Sequence, residues 1–180
     1  MLEAIIIQAI EDTGFDEYRV INASDIIFAE DVFKACAQNT CGNYNTNYAC
    51  PPLSGDMAEN KARFEAYRKG IIVNKVLDLG KYYEKMETSG KMFKEYLDKL
   101  REALKDEPVM IAGPGGCDLC KTCAAIDGTA CRFPDKRRYS MEGSGMDIVA
   151  MSRTQNMTYN GGHHKVGYFG IVMYDKIKSI

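Results

Sequence analysis

Four cysteines between Gly113 and Arg138 have the type and spacing to do chemistry. Cys117, Cys120 and Cys123 follow a C-x2-C-x2-C pattern, and Cys131 comes after seven further residues. Two-residue gaps let a chain curl so that three thiolates face one side of a compact inorganic cluster. A fourth thiolate arriving from a short loop then closes the cage. A second group lies upstream, at Cys36, Cys41 and Cys50, in a loop rich in Asn, Tyr, Thr and Gly that ends at Pro51-Pro52. Thiols gathered in polar loop sequence read as metal ligands more readily than as core residues.

The first pattern is close to the bacterial ferredoxin run C-x2-C-x2-C-x3-C-P, but the last gap is seven residues and Pro134 comes late. Zinc sites usually use two separated C-x2-C pairs, which leaves Cys123 unexplained. A lone thioredoxin-like pair at Cys117 and Cys120 leaves Cys123 and Cys131 idle. The C-x3-C-x2-C spacing of radical-SAM proteins is absent, and neither histidine lies near a cysteine as a Rieske centre would need. The favoured reading is a [4Fe–4S] cluster on Cys117, Cys120, Cys123 and Cys131. A second cluster or metal would sit on Cys36, Cys41 and Cys50, with zinc as the alternative cofactor.

The second group lacks a fourth cysteine. His163, His164, Asp56 or a thiol of a partner subunit are the candidates, and the sequence does not choose among them. An unfilled position would leave a metal open to a small substrate. The vicinal histidines read more simply as a surface turn, because successive side chains on a strand face opposite ways. Gly113-Pro114-Gly115-Gly116 lacks the Gly-Lys-Ser/Thr of a phosphate loop. These glycines fit better as backbone passing close to a cluster. Lys121, Arg132, Lys136, Arg137 and Arg138 would offset the negative charge of a thiolate-bound cluster and dock an acidic redox partner; a solvated charge run explains them equally well.

The elements that must position these residues can be read from periodicity. The chain has 180 residues, a length suited to one domain with a proper core. Its net charge of −2 argues against general nucleic-acid affinity. There is no apolar run of membrane-spanning length, and the N-terminus turns acidic at once rather than reading as a signal peptide. Seven cysteines without an export signal point to a reducing, cytoplasmic setting. Helices are expected at 2–12, 28–38, 55–69 (closed by Gly70), 81–105 (divided at Gly90) and 140–154. Strands are expected at 18–21, 71–79, 108–112 and 166–174, the last one central. The expected fold is a single metal-binding α+β domain over residues 1–180. It would have a mixed sheet of four or five strands with helices packed mainly on one side.

Residues 36–52, C-x4-C-G-N-Y…A-C-P-P, and 115–148, G-G-C-x2-C-x2-C-A…C-R-F-P-D-K-R-R-Y-S-M-E-x-S-G-M-D-I, carry a family resemblance. Together they resemble an uncharacterised prokaryotic family of predicted metal-binding proteins with two cysteine clusters, common in anaerobes. The resemblance runs nearly full length and includes the C-terminal YFGIVMYD. It implies that all seven cysteines bind metal, and it implies no reaction. The functional expectation is an iron–sulfur protein of anaerobic metabolism that relays electrons between a ferredoxin-like protein and a target enzyme. The alternatives are an enzyme acting at an open iron of the three-cysteine site and a zinc-stabilised interaction module. No nucleic-acid or membrane partner is expected, and homo-oligomerisation is left open.

Overall fold

Apolar residues on both faces of two long strands set the architecture. A computed structural model describes residues 1–177. In chain order the elements are α1 (Leu2–Thr13), β1 (Glu17–Asn22), α2 (Glu30–Ala35), α3 (Met57–Glu65), β2 (Tyr67–Asp78), α4 (Met86–Ala103), β3 (Met110–Ala112), α5 (Ile148–Thr154) and β4 (Lys165–Lys176). They form an α+β domain around one four-stranded sheet, ordered β1-β2-β4-β3. β2 and β4 pair from Tyr67↔Lys176 to Asp78↔Lys165, and β4 is central as expected.

Every strand pair is antiparallel, which corrects the mixed sheet expected from alternating strands and helices. The reason is topological. β2 and β3 run the same way with α4 between them, as a parallel crossover would. β4 then inserts between them and turns one parallel neighbour pair into two antiparallel ones.

Both faces of the sheet are covered. Ile71, Val73, Leu77 and Val172 pack with Ile6 and Ile10 of α1 and with Phe93, Leu97, Leu100 and Leu104 of α4. Those four α4 residues form the apolar stripe visible in the sequence. Ile72, Phe169, Ile171 and Met173 point the other way, because strand side chains alternate. They pack with Phe64 of α3, Met151 of α5, and Met141, Met146 and Met157. The longest helices therefore share one face, while the expectation of cover mainly on one side omits the second core. Among the described residues, no helix is long and apolar enough to cross a membrane.

Several boundaries differ from the sequence reading. Gly70 does not end α3; it lies inside β2, where a Cβ would come within 3.0 Å of Met173 Sδ. α4 runs through Gly90 undivided and starts only at Met86. The helix expected at 140–154 is cut by Gly145 at φ 84°, and α5 restarts beyond it with Asp147 Oδ1 accepting from the Ala150 amide at 2.9 Å. α2 is short and passes into a 3₁₀ turn, Cys36–Gln38, which Asn39 ends in the left-handed region at φ 53°.

Candidate metal centre

The Gly113–Ser140 loop leaves the edge strand β3 and closes on itself. The Gly113 amide donates to Tyr139 O at 3.2 Å, and the Met141 amide donates back to Gly113 O at 2.9 Å. Within it, Cys117, Cys120, Cys123 and Cys131 all line one small hollow. The long gap before Cys131 has a structural use. Residues Ala124–Asp127 form a 3₁₀ turn, Gly128 reverses the chain at φ 66°, and the Thr129 amide donates to Ala124 O at 3.1 Å. The extra residues fold up on themselves, and Cys131 returns to the wall of the same hollow. An Arg132 guanidinium nitrogen donates to Thr122 O at 2.9 Å and holds the returning chain there.

The second group gathers around buried Cys50, which is 5% exposed, with Cys36 half-buried and Cys41 exposed. Burial pushes the Cys50 thiol up to about 12, and the nearby Cys41, Cys36, Glu142 and Cys117 push in the same direction. Cys36 is also raised, first by burial and then by Cys41 and Glu142. Its Sγ lies 3.9 Å from the Glu142 carbonyl oxygen. The Glu142 carboxyl is itself raised by burial, although bonds from its own amide, from Ser140 Oγ at 3.3 Å and from the Gly115 amide oppose this. Acid groups crowded in this way hold their protons until a multivalent cation replaces them.

The two loops are bolted together by side chains. Asn47 Nδ2 donates to Cys117 O at 2.8 Å, and its Oδ1 accepts from the Cys117 amide at 3.2 Å and the Ala49 amide at 3.0 Å. Tyr48 donates its hydroxyl to Thr129 O at 2.8 Å. The Ser140 amide donates to Ala49 O at 3.4 Å. Gly116 is glycine for steric reasons: a Cβ there would stand 2.8 Å from Asn43 Oδ1 and 2.9 Å from Asn47 Nδ2. Cys117 thus lines the four-thiol hollow while its peptide is held by the other loop.

The fourth ligands considered from the sequence are placed differently. Asp56 is exposed and caps α3, accepting from the Glu59 amide at 2.8 Å. His163 and His164 form the turn before β4, where His164 O accepts from the Leu79 amide and the two ring centroids lie 4.1 Å apart with their planes tilted by 58°. The acidic group beside Cys36 and Cys50 is instead Glu142. Its sequence signal was only its place in the SMEGSG segment after the basic run. Asn47 gave no signal at all, being one asparagine among several in a polar loop.

The basic run also divides. Arg138 pairs with Asp118 at 2.6 Å and Asp98 at 2.9 Å, so it is structural. Lys121, Arg132 and Lys136 are exposed. Arg137 lines the hollow, and its buried Nε has no hydrogen-bond partner among the described residues. Four cysteines lining one hollow, with Arg137 in the same wall, are a set of side chains that fits an anionic, thiolate-bound cluster. Among the described residues, no three His, Cys, Asp or Glu side chains already converge on an ion-sized point.

The sequence pattern of the family described as predicted metal-binding protein (DUF2284) matches residues 19–174, and the chain belongs to that family. No curated protein matches it. Among solved structures, epoxyqueuosine reductase bound to a modified tRNA-Tyr stem loop is similar at a TM-score of 0.42 and 10% identity. That likeness covers 99% of this chain but 48% of the reductase, so the chain spans about half its length.

Proposed function

We propose that the chain is an iron–sulfur electron carrier. Cys117, Cys120, Cys123 and Cys131 would hold a [4Fe–4S] cluster, and Cys36, Cys41 and Cys50 a second cluster or metal. The observation that carries this reading is the single hollow lined by all four thiols of the 117–131 group. Such a cluster, when bound, supplies a one-electron couple. The chain's own residues ligate it, limit water around it, and offer exposed Lys121, Arg132 and Lys136 to an acidic partner such as a ferredoxin or a target enzyme of anaerobic metabolism. That setting would be the cytoplasm.

A second reading is favoured by the composition of the other group. It has three thiols with the Glu142 carboxyl beside them. An oxygen donor there is exchangeable, and its displacement would let a small substrate reach the metal, which would make the chain an enzyme.

The test is iron, zinc and acid-labile sulfide per chain after anaerobic purification, with EPR after dithionite reduction. About eight irons and eight sulfides are expected for two cubanes, and about four of each for one. Zinc without sulfide would refute the redox reading and leave a structural zinc module. A change in the EPR signal on adding a small thiol, confined to the 36–50 site by Cys→Ala variants, would favour the enzyme.

A further inference from the structure

Arg137 stands apart from its basic neighbours. Arg138 is neutralised by two carboxylates, and Arg132 is exposed, with one guanidinium nitrogen on a backbone carbonyl. No ion pair to Arg137 occurs among the described residues; instead its guanidinium lies 5.4 Å from the ring of Tyr48 and 5.7 Å from that of Tyr139. The two rings fix the planar group from the side, leaving its charge unmatched and its buried Nε without an acceptor. A buried donor without a partner is rare in folded proteins and points to a missing acceptor. Arg137 lines the same hollow as the four thiols, and Tyr48 belongs to that lining too.

Resting on the cluster reading above, we infer that Arg137 is the charge partner of the group held by Cys117, Cys120, Cys123 and Cys131, donating its Nε–H to a sulfur and raising the group's reduction potential. One-electron reduction adds one negative charge. A fixed cation beside the site stabilises the reduced form more than the oxidised one, and a hydrogen bond to sulfur acts in the same direction. Arg137 is thus a tuning residue rather than a ligand. Tyr48, which comes from the first cysteine loop, positions it and makes the potential depend on how the two loops dock.

The experiment compares the wild type with Arg137→Met and Arg137→Lys, purified without oxygen. Iron and sulfide are counted, and the midpoint potential is measured by EPR-monitored titration with dithionite as reductant. Arg137→Met is expected to shift the oxidised-to-reduced ratio at a fixed potential about tenfold toward oxidised, which is about 59 mV downward for a one-electron couple. Arg137→Lys should retain the charge without the Nε donor and fall between the two. Absence of sulfide in the wild type would overturn the cluster reading itself. With sulfide present, wild-type potentials in both variants would overturn the role of Arg137 alone. So would loss of iron in Arg137→Met together with a wild-type potential in Arg137→Lys.

Discussion

Asn47→Ala should unlatch the two cysteine loops from each other. The side chain makes three bonds, two to the Cys117 peptide and one to the Ala49 amide, and Asn47 is 6% exposed. At about 1 kcal/mol net for each bond, the substitution removes about 3 kcal/mol from the docked state. That is about a hundredfold in the opening equilibrium, at about 1.4 kcal/mol per tenfold. The effect is local, because neither hydrophobic core includes a cysteine or Asn47. A global melt is therefore the wrong assay.

The right assay is alkylation of buried Cys50 by iodoacetamide in the reduced, metal-free chain, read by peptide mass mapping. Cys50 reacts only when its loop opens, whereas Cys41 is already exposed and serves as the internal control. Asn47→Ala should speed Cys50 about a hundredfold by the same arithmetic and leave Cys41 unchanged. Gly116→Ala attacks the latch from the other side, since its Cβ would push on both Asn43 and Asn47. The two substitutions should be less than additive, because each disturbs the same contact. A Cys50 rate within about threefold of the wild type, or full additivity, would refute the idea that Asn47 holds the loops together.

Four further outcomes are expected. The folded Cys50 thiol keeps its proton up to about 12 and the unfolded one only to about 8.5, so the fold binds more protons between those values. The metal-free chain should therefore be at full stability below about pH 8.5 and weaken as pH rises above it, and urea titrations of Cys50→Ala should show a flatter profile. Gly167→Ala would place a Cβ 2.0 Å from Thr158 O, on backbone that cannot rotate away, and should lose about 3 kcal/mol or more in denaturant melts. Gly90→Ala, with nothing within 4 Å, should gain up to about 1 kcal/mol in α4. Stripping the metal should leave the far-UV circular dichroism intact while protease cuts appear in 36–56 and 113–140, since the packed cores contain no cysteine.

The regular elements were legible because they follow from local periodicity. The α4 stripe from Phe93 to Leu104 and the β-branched Ile71-Ile72-Val73 run each announce their own structure. What periodicity cannot carry is the order of strands in space. Nothing in β4 says that it will enter between β2 and β3, and that single choice changes a mixed sheet into an antiparallel one. Gly70 misled for a related reason. Glycine after a helical pattern reads as a cap, yet here the side chains of Met173 and Ile171 on the neighbouring strand occupy the space of its missing Cβ. The seven cysteines were legible as ligand candidates from spacing alone. The residues that bring the two groups together were not. Asn47 meets Cys117 across a separation of 70 residues, and Glu142 meets Cys36 across 106.

Those long-range contacts bear on how two thiol sites in one small chain would work together. Loops position ligands less accurately than helices or strands do, so a site built from two loops needs bracing. The sheet supplies only the anchor points: β3 launches one loop, and α2 and α3 bound the other. The bracing itself is polar, through Asn47, Tyr48 and the Ser140 amide. The thiol of Cys117 faces one site, its peptide is clamped by the loop of the other, and its charge is felt by Cys50. The relay proposed between the two sites would need a short, rigid connection that does not vary with loop motion. The Asn47–Cys117 clamp is the part of this chain that meets that requirement, which is why its removal is the most informative single change.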